Sequence, residues 1–454
     1  GADVLIEGDD EAQLAMRASV YHLLRAHVPG DSRVAIDAKG YAGEAYWGRF
    51  FWDTEMYLLP FYLYTDPLRA RTLVDFRVRA LPGARDNAAS YGYRGARYPW
   101  ESDSDGRECC PNWQYRDHEI HVTADVAYAM AHYARAAEPA YVRGPAAEAI
   151  VEAARYWLDR MDRRPGDSHP SILGVMGPNE YGPINSNNAY TNRLAAFALK
   201  LAAEVGQEGG ATPKERCAFA EAAAGLPIPR AKDGVLVLEN EEFATRADPR
   251  FNELWRNRNA TYAAQVSQER IYRSKCLKQA DVLMLMMLFP HEFTDAEVKA
   301  AWDYYLPFTT HDSSLSAGAH AIIALRLGLH EQAWEFWRMS ADKDIDTEHG
   351  GAAEGIHIAG CGANWQIAVL GFAGMATALQ SETFTLAPQL PARWKRLVFP
   401  VAWRGSRLRV DVAAGRCEVT NLGQEGLQVR VWGESRHLPG GQMIAFERPG
   451  KGKR

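Results

Sequence analysis

The sequence lacks any long apolar run. Its most apolar stretch, Val282 to Pro290 (VLMLMMLFP), is far shorter than the roughly 20 residues that a membrane-spanning helix needs. The first residues carry no positively charged segment followed by an apolar one, so no secretory signal is predicted. These absences exclude a transmembrane helix and favour a cytoplasmic protein without a membrane partner.

Cysteine is also scarce, with six residues among 454. Cys109 and Cys110 are adjacent and the others are scattered, which matches neither a disulfide framework nor the spacing of zinc ligands. The sequence has no GxGxxG turn opening a βαβ unit, no P-loop and no HExxH. We therefore expect buried or free thiols, no metal, and no nucleotide or flavin cofactor.

Charge of one sign is not concentrated anywhere. The 51 basic and 57 acidic residues are interspersed and give a net charge of -6, without a basic stripe. Nucleic acid is therefore not an expected partner. With 47% hydrophobic and 11% aromatic residues, the chain can bury a large core, and we predict one large domain and a smaller one.

Two hydrophobic patterns divide the chain. From about residue 10 to residue 380, apolar residues recur at helical spacing, which predicts helices that include 124–137, 146–161, 194–205, 279–289, 319–327 and 365–379. From Thr383 onwards apolar and polar residues alternate, with glycines at the turns. The fold class predicted is mostly α, with a small C-terminal antiparallel β-sheet domain. The expected divisions are 1–30 as a linker and first helix, 31–380 as the helical domain, and 381–454 as the sheet domain.

Three loops between the predicted helices combine a ring side chain with a carboxylate. The pairs are Trp52 with Asp53, Trp100 with Glu101, and His121 with Glu119. A pyranose offers an apolar C–H face that stacks on an aromatic ring, and hydroxyls that bond to carboxylates. A single pair is better explained as a packed ring beside a surface acid. Three such pairs favour a carbohydrate site.

Further segments complete an ordered series of motifs. The series is GEAYWGRFFWDTEMYLLPFYLYTDP, YPWES, EIHVTADVAYA, GPNEY with NNAYTN, KQAD, HDSSLS and GIHIAGCGANW. From about Glu7 onwards these motifs resemble those of glycoside hydrolase family 65, which contains inverting phosphorylases of maltose, trehalose, kojibiose and nigerose, and some hydrolases. The resemblance implies an (α/α)6 barrel before the sheet domain, inorganic phosphate as co-substrate without a cofactor, and a homodimer. Members normally also carry a large N-terminal β-sandwich, which this sequence does not include.

The loop GVMGPNEYGPINSNNAYTN contains a single carboxylate, Glu180, among prolines, glycines and amides. Cleavage of a glycosidic bond requires an acid whose pKa is raised by apolar surroundings. The resemblance makes Glu180 this general acid, and the alternative is an acid that caps a helix or holds the loop. Asn187, Asn188 and Asn192 are explained equally well as loop and cap residues or as contacts to sugar hydroxyls.

The nucleophile decides between phosphorolysis and hydrolysis. An inverting hydrolase needs a second carboxylate about 6.5–9.5 Å from the acid, whereas phosphate brings its own nucleophilic oxygens and needs an anion site. HDSSLS and EGIHIAGCGAN resemble the phosphate-binding motifs of the family's phosphorylases. Considered alone, Ser313, Ser314 and Ser316 fit a helix N-cap equally well, and His357 fits a core histidine better. The resemblance favours phosphate binding by Ser313, Ser314 and His357.

Two departures from the family pattern keep hydrolysis as the alternative. Gly360 occupies a position that Ser, Thr or Asn usually fills, so one anion donor is missing. Glu348 lies in the segment where the family's hydrolases place their base, while Glu354 matches an acid that phosphorylases also carry. The alternative is therefore an inverting α-glucoside hydrolase with Glu180 as acid and Glu348 as base. A sugar-binding protein without turnover is a third hypothesis, which the intact motifs disfavour.

The last polar pair, Lys278 and Gln279 in KQAD, precedes an apolar run, where a lysine alone fits a partly buried surface residue. The resemblance makes both residues contacts to glucose hydroxyls, together with Trp52, Asp53, Trp100, Glu101 and Glu119. We therefore predict inverting phosphorolysis of an α-linked glucose disaccharide or α-glucoside to β-glucose 1-phosphate. The acceptor sugar stays open, because loops such as 102–118 would select it.

Overall fold

The computed structural model describes residues 1–345 and 355–450. Helices joined by loops are the main elements of the chain from Asp10 to Phe372, and strands form most of the chain from Phe384 onwards. The α-helices are α1 (Asp10–Ala26), α2 (Leu59–Thr65), α3 (Pro67–Arg79), α4 (Leu81–Ser90), α5 (Trp113–His118), α6 (Val122–Ala136), α7 (Ala147–Arg160), α8 (Ala189–Val205), α9 (Pro213–Gly225), α10 (Phe251–Leu254), α11 (Gln268–Tyr272), α12 (Asp281–Leu288), α13 (Asp295–Tyr305), α14 (Ser316–Arg326), α15 (His330–Ala341) and α16 (Ile358–Gln366).

Local sequence explains where several helices begin. The side chain of Asp9 accepts the backbone N–H of Ala12 at 3.0 Å and caps α1. Helices α9 and α13 each begin with a reciprocal capping box, formed by Thr212 with Glu215 and by Thr294 with Glu297. These signals lie within four residues of each other, so the sequence alone fixes these helix starts.

The helical spacing of apolar residues predicted several of the helices. The segments expected at 124–137, 146–161, 194–205, 279–289 and 319–327 form α6, α7, α8, α12 and α14, with small shifts at their ends. Because a buried helix face must recur every three to four residues, this part of the pattern is reliable.

A helix expected over Trp365–Leu379 is wrong in its second half. Helix α16 continues only as a π-helical turn, Ile367–Phe372. The chain then turns at Gly374, whose φ of +60° lies in the left-handed region. A Cβ at this position would lie only 2.4 Å from the carbonyl oxygen of Ala387, so a larger residue would clash there. The apolar residues beyond the turn are buried as a loop instead. A second π-helical turn, Thr54–Leu58, precedes α2.

Helices that follow each other in sequence pack together, as α7 does with α8, α8 with α9, and α14 with α15. Helix α1 packs against α16, so the first and last of the described helices are neighbours. The buried core between them includes the large side chains of Trp157, Trp337 and Trp365.

The strands form two sheets besides a short ribbon. Their bounds are β1 (Leu5–Glu7), β2 (Leu173–Val175), β3 (Asn185–Ser186), β4 (Phe384–Leu386), β5 (Arg396–Trp403), β6 (Ser406–Ala413), β7 (Arg416–Asn421), β8 (Leu427–Val431), β9 (Glu434–Leu438) and β10 (Met443–Glu447). A five-stranded antiparallel sheet has the order β1-β5-β6-β7-β10, and a three-stranded sheet has the order β4-β8-β9. Strands β2 and β3 pair with each other among the helices.

Two features of the sheets depart from the prediction of a purely antiparallel C-terminal domain. Strand β4 pairs in parallel with β8, with Phe384 opposite Val429. Strand β1, from the segment predicted as linker and first helix, pairs with β5, with Leu5 opposite Val398. Both pairings join segments far apart in sequence, which alternation of apolar residues cannot reveal.

Across the described residues, 1–345 and 355–450, we find no helix with the length and apolarity that crossing a bilayer requires. The most apolar helix, α12, has eight residues.

Candidate active site

Glu180 lies in the loop between β2 and β3, and the preceding residue fixes this loop. The amide nitrogen of Asn179 donates to Oε2 of Glu239 at 3.2 Å. Its amide oxygen accepts the backbone N–H groups of Tyr181 at 3.2 Å and of Lys278 at 2.9 Å. Asn179 is buried. Its side chain therefore holds the Glu180 loop against the segment that carries Lys278.

The loop approaches its neighbours closely at a glycine. A Cβ on Gly177 would lie 2.2 Å from Oδ2 of Asp281 and 2.3 Å from Nδ2 of Asn188. Both of these groups are buried, and Asn188 donates to Asp281 at 3.1 Å. A larger residue at this position would displace the whole loop.

The three asparagines that follow Glu180 are occupied by the protein itself. Asn188 caps α8 by accepting the N–H of Thr191 at 2.9 Å. The side chain of Asn187 accepts the N–H of Ile172 at 3.0 Å, and Asn192 donates to the carbonyl of Pro227 at 2.8 Å. The sequence left open whether these asparagines are loop and cap residues or contacts to sugar hydroxyls. The contacts in the structure support loop and cap residues.

The carboxyl group of Glu180 has a cation beside it. Nζ of Lys278 lies 2.7 Å from Oε1 of Glu180, and their side chains are 23% and 21% exposed. Burial lowers the pKa of Lys278, but the carboxylate of Glu180 more than offsets this, so that the pKa is raised. The prediction of apolar surroundings for Glu180 was wrong, because Lys278, 98 residues further along the chain, lies beside it.

Other carboxyl groups lie within electrostatic reach of Glu180. Burial raises the pKa of Asp53 to about 7, and the charge of Glu180 contributes to the shift. Burial likewise raises the pKa of Glu119 to about 7, again with a contribution from Glu180. The pKa of Glu101 is raised chiefly by burial, while a hydrogen bond from the Cys110 thiol opposes the shift. The structure thus brings the four predicted carboxylates into one cluster.

A buried histidine balances this acidic cluster. Nδ1 of His121 lies 2.6 Å from Oδ2 of Asp125, and its Nε2 lies 3.5 Å from Oε2 of Glu119. Burial lowers the pKa of His121, but Asp125 and then Glu119 outweigh burial and raise it to about 9. The hydroxyl of Tyr190 also donates to Asp125 at 3.0 Å. A protonated His121 therefore supplies positive charge beneath the carboxylates.

The two tryptophans lie against His121 edge to face. Trp52 is 2% exposed, and its ring centroid is 4.8 Å from that of His121. Trp100 is 6% exposed, with a centroid distance of 5.8 Å to His121. Their role as stacking surfaces for a sugar stays a prediction, because most of each ring is covered by protein.

Several buried polar atoms in the cluster have no hydrogen-bond partner within the described part of the chain. They are Oε1 of Glu119, Oε2 of Glu101, Oε1 of Gln279 and Oδ1 of Asp281. The amide nitrogen of Gln279, by contrast, donates to the carbonyl of Pro178 at 2.9 Å. Leaving such atoms unpaired is unfavourable. A ligand rich in hydroxyl groups would pair them.

The predicted phosphate-binding serines are linked to the acid through neighbouring residues. The hydroxyl of Tyr181, next to Glu180, donates to Oδ2 of Asp312 at 2.6 Å. Asp312 directly precedes Ser313 and Ser314, which lie half-buried in the turn before α14. The hydroxyl of Ser313 accepts the N–H of Leu315 at 3.1 Å. The HDSSLS turn therefore lies beside the Glu180 loop.

Ser316, the third serine of this motif, is buried at the first position of α14. Its hydroxyl lies 2.9 Å from Nδ1 of His311. This side chain is thus used inside the protein.

His357 immediately precedes α16 and is held by two charged side chains. Its Nδ1 lies 2.7 Å from Oδ1 of Asp344, and its backbone N–H donates to Oδ2 of the same carboxylate at 2.8 Å. Its Nε2 lies 3.1 Å from Nζ of Lys39. A Cβ on Gly360 would lie 3.7 Å from Cβ of His357 and 3.8 Å from Cβ of Ser314. His357 and Ser314 therefore flank the same small space.

A second glycine allows the Lys39 loop to reach His357. Gly355 has a φ of +102°, and a Cβ there would lie 3.0 Å from Cβ of Lys39. Lys39 itself is 4% exposed, and its ammonium lies 6.0 Å from the ring centroid of Tyr46. The charges of Lys278 and Glu180 also act on Tyr46, whose pKa is raised chiefly by partial burial. Tyr46 thus lies between two groups of side chains. The first, the Glu180 cluster, consists of Asp53, Glu101, Glu119 and Glu180, and the second, the His357 cluster, consists of Lys39, Ser314, Asp344 and His357.

Sequence reasoning missed Lys39 and Asp344. The only local signal was a lysine in the glycine-containing segment DAKGYAG, and nothing near Asp344 marks it. The predicted hydrolytic base Glu348 and the neighbouring Glu354 lie outside the described residues. In the part of the chain that is described, no three His, Cys, Asp or Glu side chains are grouped as a metal site would require.

Known proteins that are similar in sequence to this chain include several phosphorylases. The chain is 36% identical to a kojibiose phosphorylase of Caldanaerobacter subterraneus subsp. tengcongensis, over 96% of this chain and 60% of that protein. It is 33% identical to a maltose phosphorylase of Bacillus subtilis, over 97% of this chain and 59% of that protein. The chain thus spans about 60% of the length of these relatives.

A solved structure described as a putative kojibiose phosphorylase from human microbiome superposes with a TM-score of 0.92. It is 29% identical, and the match covers 100% of this chain and 68% of that one. Residues 17–366 match the glycosyl hydrolase family 65 central catalytic domain, and residues 378–438 match the C-terminal domain of the same family. The chain therefore belongs to glycosyl hydrolase family 65.

Proposed function

We propose that this chain catalyses the inverting phosphorolysis of an α-linked glucoside, releasing β-glucose 1-phosphate and an acceptor sugar. The observation that carries the proposal is the position of the His357 cluster, with Lys39 and Ser314, beside the Glu180 cluster. A carboxylic acid next to a cationic anion site is what phosphorolysis needs, because phosphate replaces both water and a second carboxylate base.

In the proposed mechanism, Glu180 protonates the bridging oxygen of the glucoside. In the structure Oε1 of Glu180 accepts a hydrogen bond from Lys278, so this contact must open before the same oxygen can face the bridging oxygen of the glucoside. Lys278 has three N–H donors. When a sugar hydroxyl recruits Lys278, the carboxyl group of Glu180 is released from the ion pair and can approach the bridging oxygen.

The sugar is held by the remaining predicted residues. Asp53, Glu101, Glu119 and Gln279 accept hydrogen bonds from glucose hydroxyls, and the edges of Trp52 and Trp100 cover its apolar face. The unpaired buried oxygens of Glu119 and Gln279 support this role, since glucose hydroxyls supply the missing donors. Phosphate binds between Ser313, Ser314 and His357 and attacks the anomeric carbon from the face opposite to Glu180.

Membership of this family also supports a proposal for the overall fold, the co-substrate and the oligomeric state. We propose that the longer helices of the set α1–α16 form an (α/α)6 barrel, for which the contact of α1 with α16 is the supporting observation. The corresponding domains are 1–30, 31–380 and 381–454. Inorganic phosphate is a co-substrate and no cofactor takes part in the steps proposed. We expect a homodimer that acts in the cytoplasm, without membrane or nucleic-acid partners.

The test is a panel of α-linked glucose disaccharides with and without phosphate, with the products followed by ¹H NMR. β-Glucose 1-phosphate formed only with phosphate supports the proposal, and the disaccharide consumed identifies the linkage. Free β-glucose formed at the same rate without phosphate would show hydrolysis instead. Absence of both products, in a protein that binds the disaccharides by calorimetry, would show a sugar-binding protein.

A further inference from the structure

Two neighbours determine the hydrogen-bonding state of His357. A carboxylate can only accept, so the 2.7 Å contact with Asp344 requires a proton on Nδ1 of His357. An ammonium can only donate, so the 3.1 Å contact with Lys39 requires a lone pair on Nε2. The two contacts together select the neutral imidazole with the proton on Nδ1.

The carboxylate of Asp344 is itself fixed in place. Its Oδ2 accepts the backbone N–H of His357 at 2.8 Å while its Oδ1 faces the ring, and its side chain is 13% exposed. Because both oxygens are used by one residue, the carboxylate cannot rotate away without losing two hydrogen bonds. Nε2 is therefore an acceptor that cannot also donate, beside the Lys39 ammonium, which only donates, and serine hydroxyls, which can do either.

We propose that His357, oriented by Asp344, makes this site specific for an oxyanion that carries a proton. The inference rests on the proposed function, in which phosphate binds here. Near neutral pH hydrogenphosphate keeps one P–OH group, which can donate to Nε2. Lys39 then turns its ammonium from Nε2 to a charged phosphate oxygen. Sulfate has the same shape and charge but carries no proton, so one of its oxygens would face the lone pair of Nε2.

The same reasoning assigns separate roles to the two charged residues. Lys39 attracts any oxyanion, whereas Asp344 acts as a positioning residue that determines which oxyanion His357 accepts. A site that hydrogen-bonds a particular group rejects an analogue that lacks the group, because its buried partner is left unpaired.

The experiment measures the binding of phosphate, arsenate and sulfate to the protein by isothermal titration calorimetry at pH 8 and constant ionic strength. Arsenate keeps a proton as phosphate does. We expect sulfate to bind about 100-fold more weakly than phosphate, and arsenate to bind within about threefold of it. Sulfate binding within about threefold of phosphate would overturn the inference.

Two variants separate charge from proton recognition. In Asp344→Asn the amide oxygen must accept the His357 backbone N–H, which leaves the amide N–H facing Nδ1. The ring proton then moves to Nε2, and we expect the phosphate-to-sulfate preference to fall below about tenfold. In Lys39→Met both anions should bind about tenfold more weakly with their ratio unchanged. An unchanged ratio in Asp344→Asn would contradict the role of Asp344.

The matched control is Asp303→Asn, which changes an exposed aspartate that pairs with Lys299 on α13. It should keep the wild-type anion preference. The Michaelis constant for phosphate in turnover should rise in Asp344→Asn by the same factor as the dissociation constant. If turnover proves independent of phosphate, the proposed function fails, while the measured anion preference still decides the inference about His357.

Discussion

The ammonium group of Lys278 lies 2.7 Å from Oε1 of Glu180, so the proposed acid is half of an ion pair in the unliganded protein. The backbone N–H of the same lysine donates to Asn179, which adjoins Glu180. Backbone and side chain of Lys278 therefore both contact the Glu180 loop. The proposed proton donor and a proposed sugar contact are coupled before any substrate arrives.

Replacing the proposed acid tests its role directly. Glu180→Gln keeps the shape of the side chain but cannot donate a proton, so we expect kcat to fall by about 10²–10⁴-fold while the glucoside still binds. Steady-state kinetics and calorimetry measure the two quantities. Glu269→Gln, which alters an exposed glutamate paired with Arg273, is the control. A kcat within tenfold of wild type would exclude Glu180 as the acid.

Burial of Asp53 predicts a pH-dependent stability. Its pKa of about 7 in the folded protein lies above its usual value of 3.8, so the folded state binds the proton more tightly than the unfolded state. The contribution of Asp53 is thus most favourable below about pH 4 and is lost as the pH rises to about 7. In Asp53→Asn no carboxylate can form at this position, so this loss of stability with rising pH is absent.

We therefore expect the Tm of Asp53→Asn, relative to wild type, to be higher at pH 8 than at pH 4. Thermal unfolding followed by circular dichroism at the two values measures the difference. The same comparison with Asp303→Asn, an exposed position, should show no such trend. An equal Tm difference at both pH values would mean that the folded protein does not raise the pKa of Asp53.

Two glycines of α16 predict opposite outcomes for the same substitution. A Cβ on Gly360 would meet only ordinary contacts, at 3.7 and 3.8 Å, so Gly360→Ser should fold and place a hydroxyl beside His357 and Ser314. We expect its Michaelis constant for phosphate to fall severalfold, as one net hydrogen bond implies. An unchanged or higher constant in a folded variant would argue against an anion between these residues.

At the second glycine, Gly362, a Cβ would lie 2.3 Å from the carbonyl oxygen of Tyr57. Gly362→Ser should therefore destabilise the protein by about 1–3 kcal/mol, since the backbone must shift to make room. Urea unfolding of the two variants checks both expectations. Equal stabilities would contradict the close approach of α16 to the Thr54–Leu58 turn.

A buried ion pair holds this turn in place. Arg77 on α3 lies 2.7 Å from Glu55, with side-chain exposures of 1% and 3%. Arg77→Met leaves a buried carboxylate unpaired and should reduce the free energy of unfolding by about 3–5 kcal/mol. The double variant with Glu55→Gln removes both charges and should recover part of this loss. No recovery in denaturant unfolding would show that packing, and not charge, dominates at Arg77.

The sequence predicted what depends on neighbours in the chain. Helical spacing of apolar residues, alternating strands and the loop around Glu180 were all visible from short segments. The contact of Glu180 with Lys278 spans 98 residues, and that of Lys39 with His357 spans 318. One sequence carries no signal of such pairings, so the ion pair, the role of Asp344 and the parallel pairing of β4 with β8 required coordinates.

The pairing of β1 with β5 has a consequence for biosynthesis. Glu7 and Arg396 are 389 residues apart, so at 5–20 residues per second the ribosome needs about 20–80 s between them. During this time the strand β5, with which the apolar segment 4–6 pairs, has not yet been made. The acidic run of Glu7, Asp9, Asp10 and Glu11 directly after it supplies the charges that discourage aggregation of an exposed strand. The nascent chain thus carries its own protection until the sheet can close.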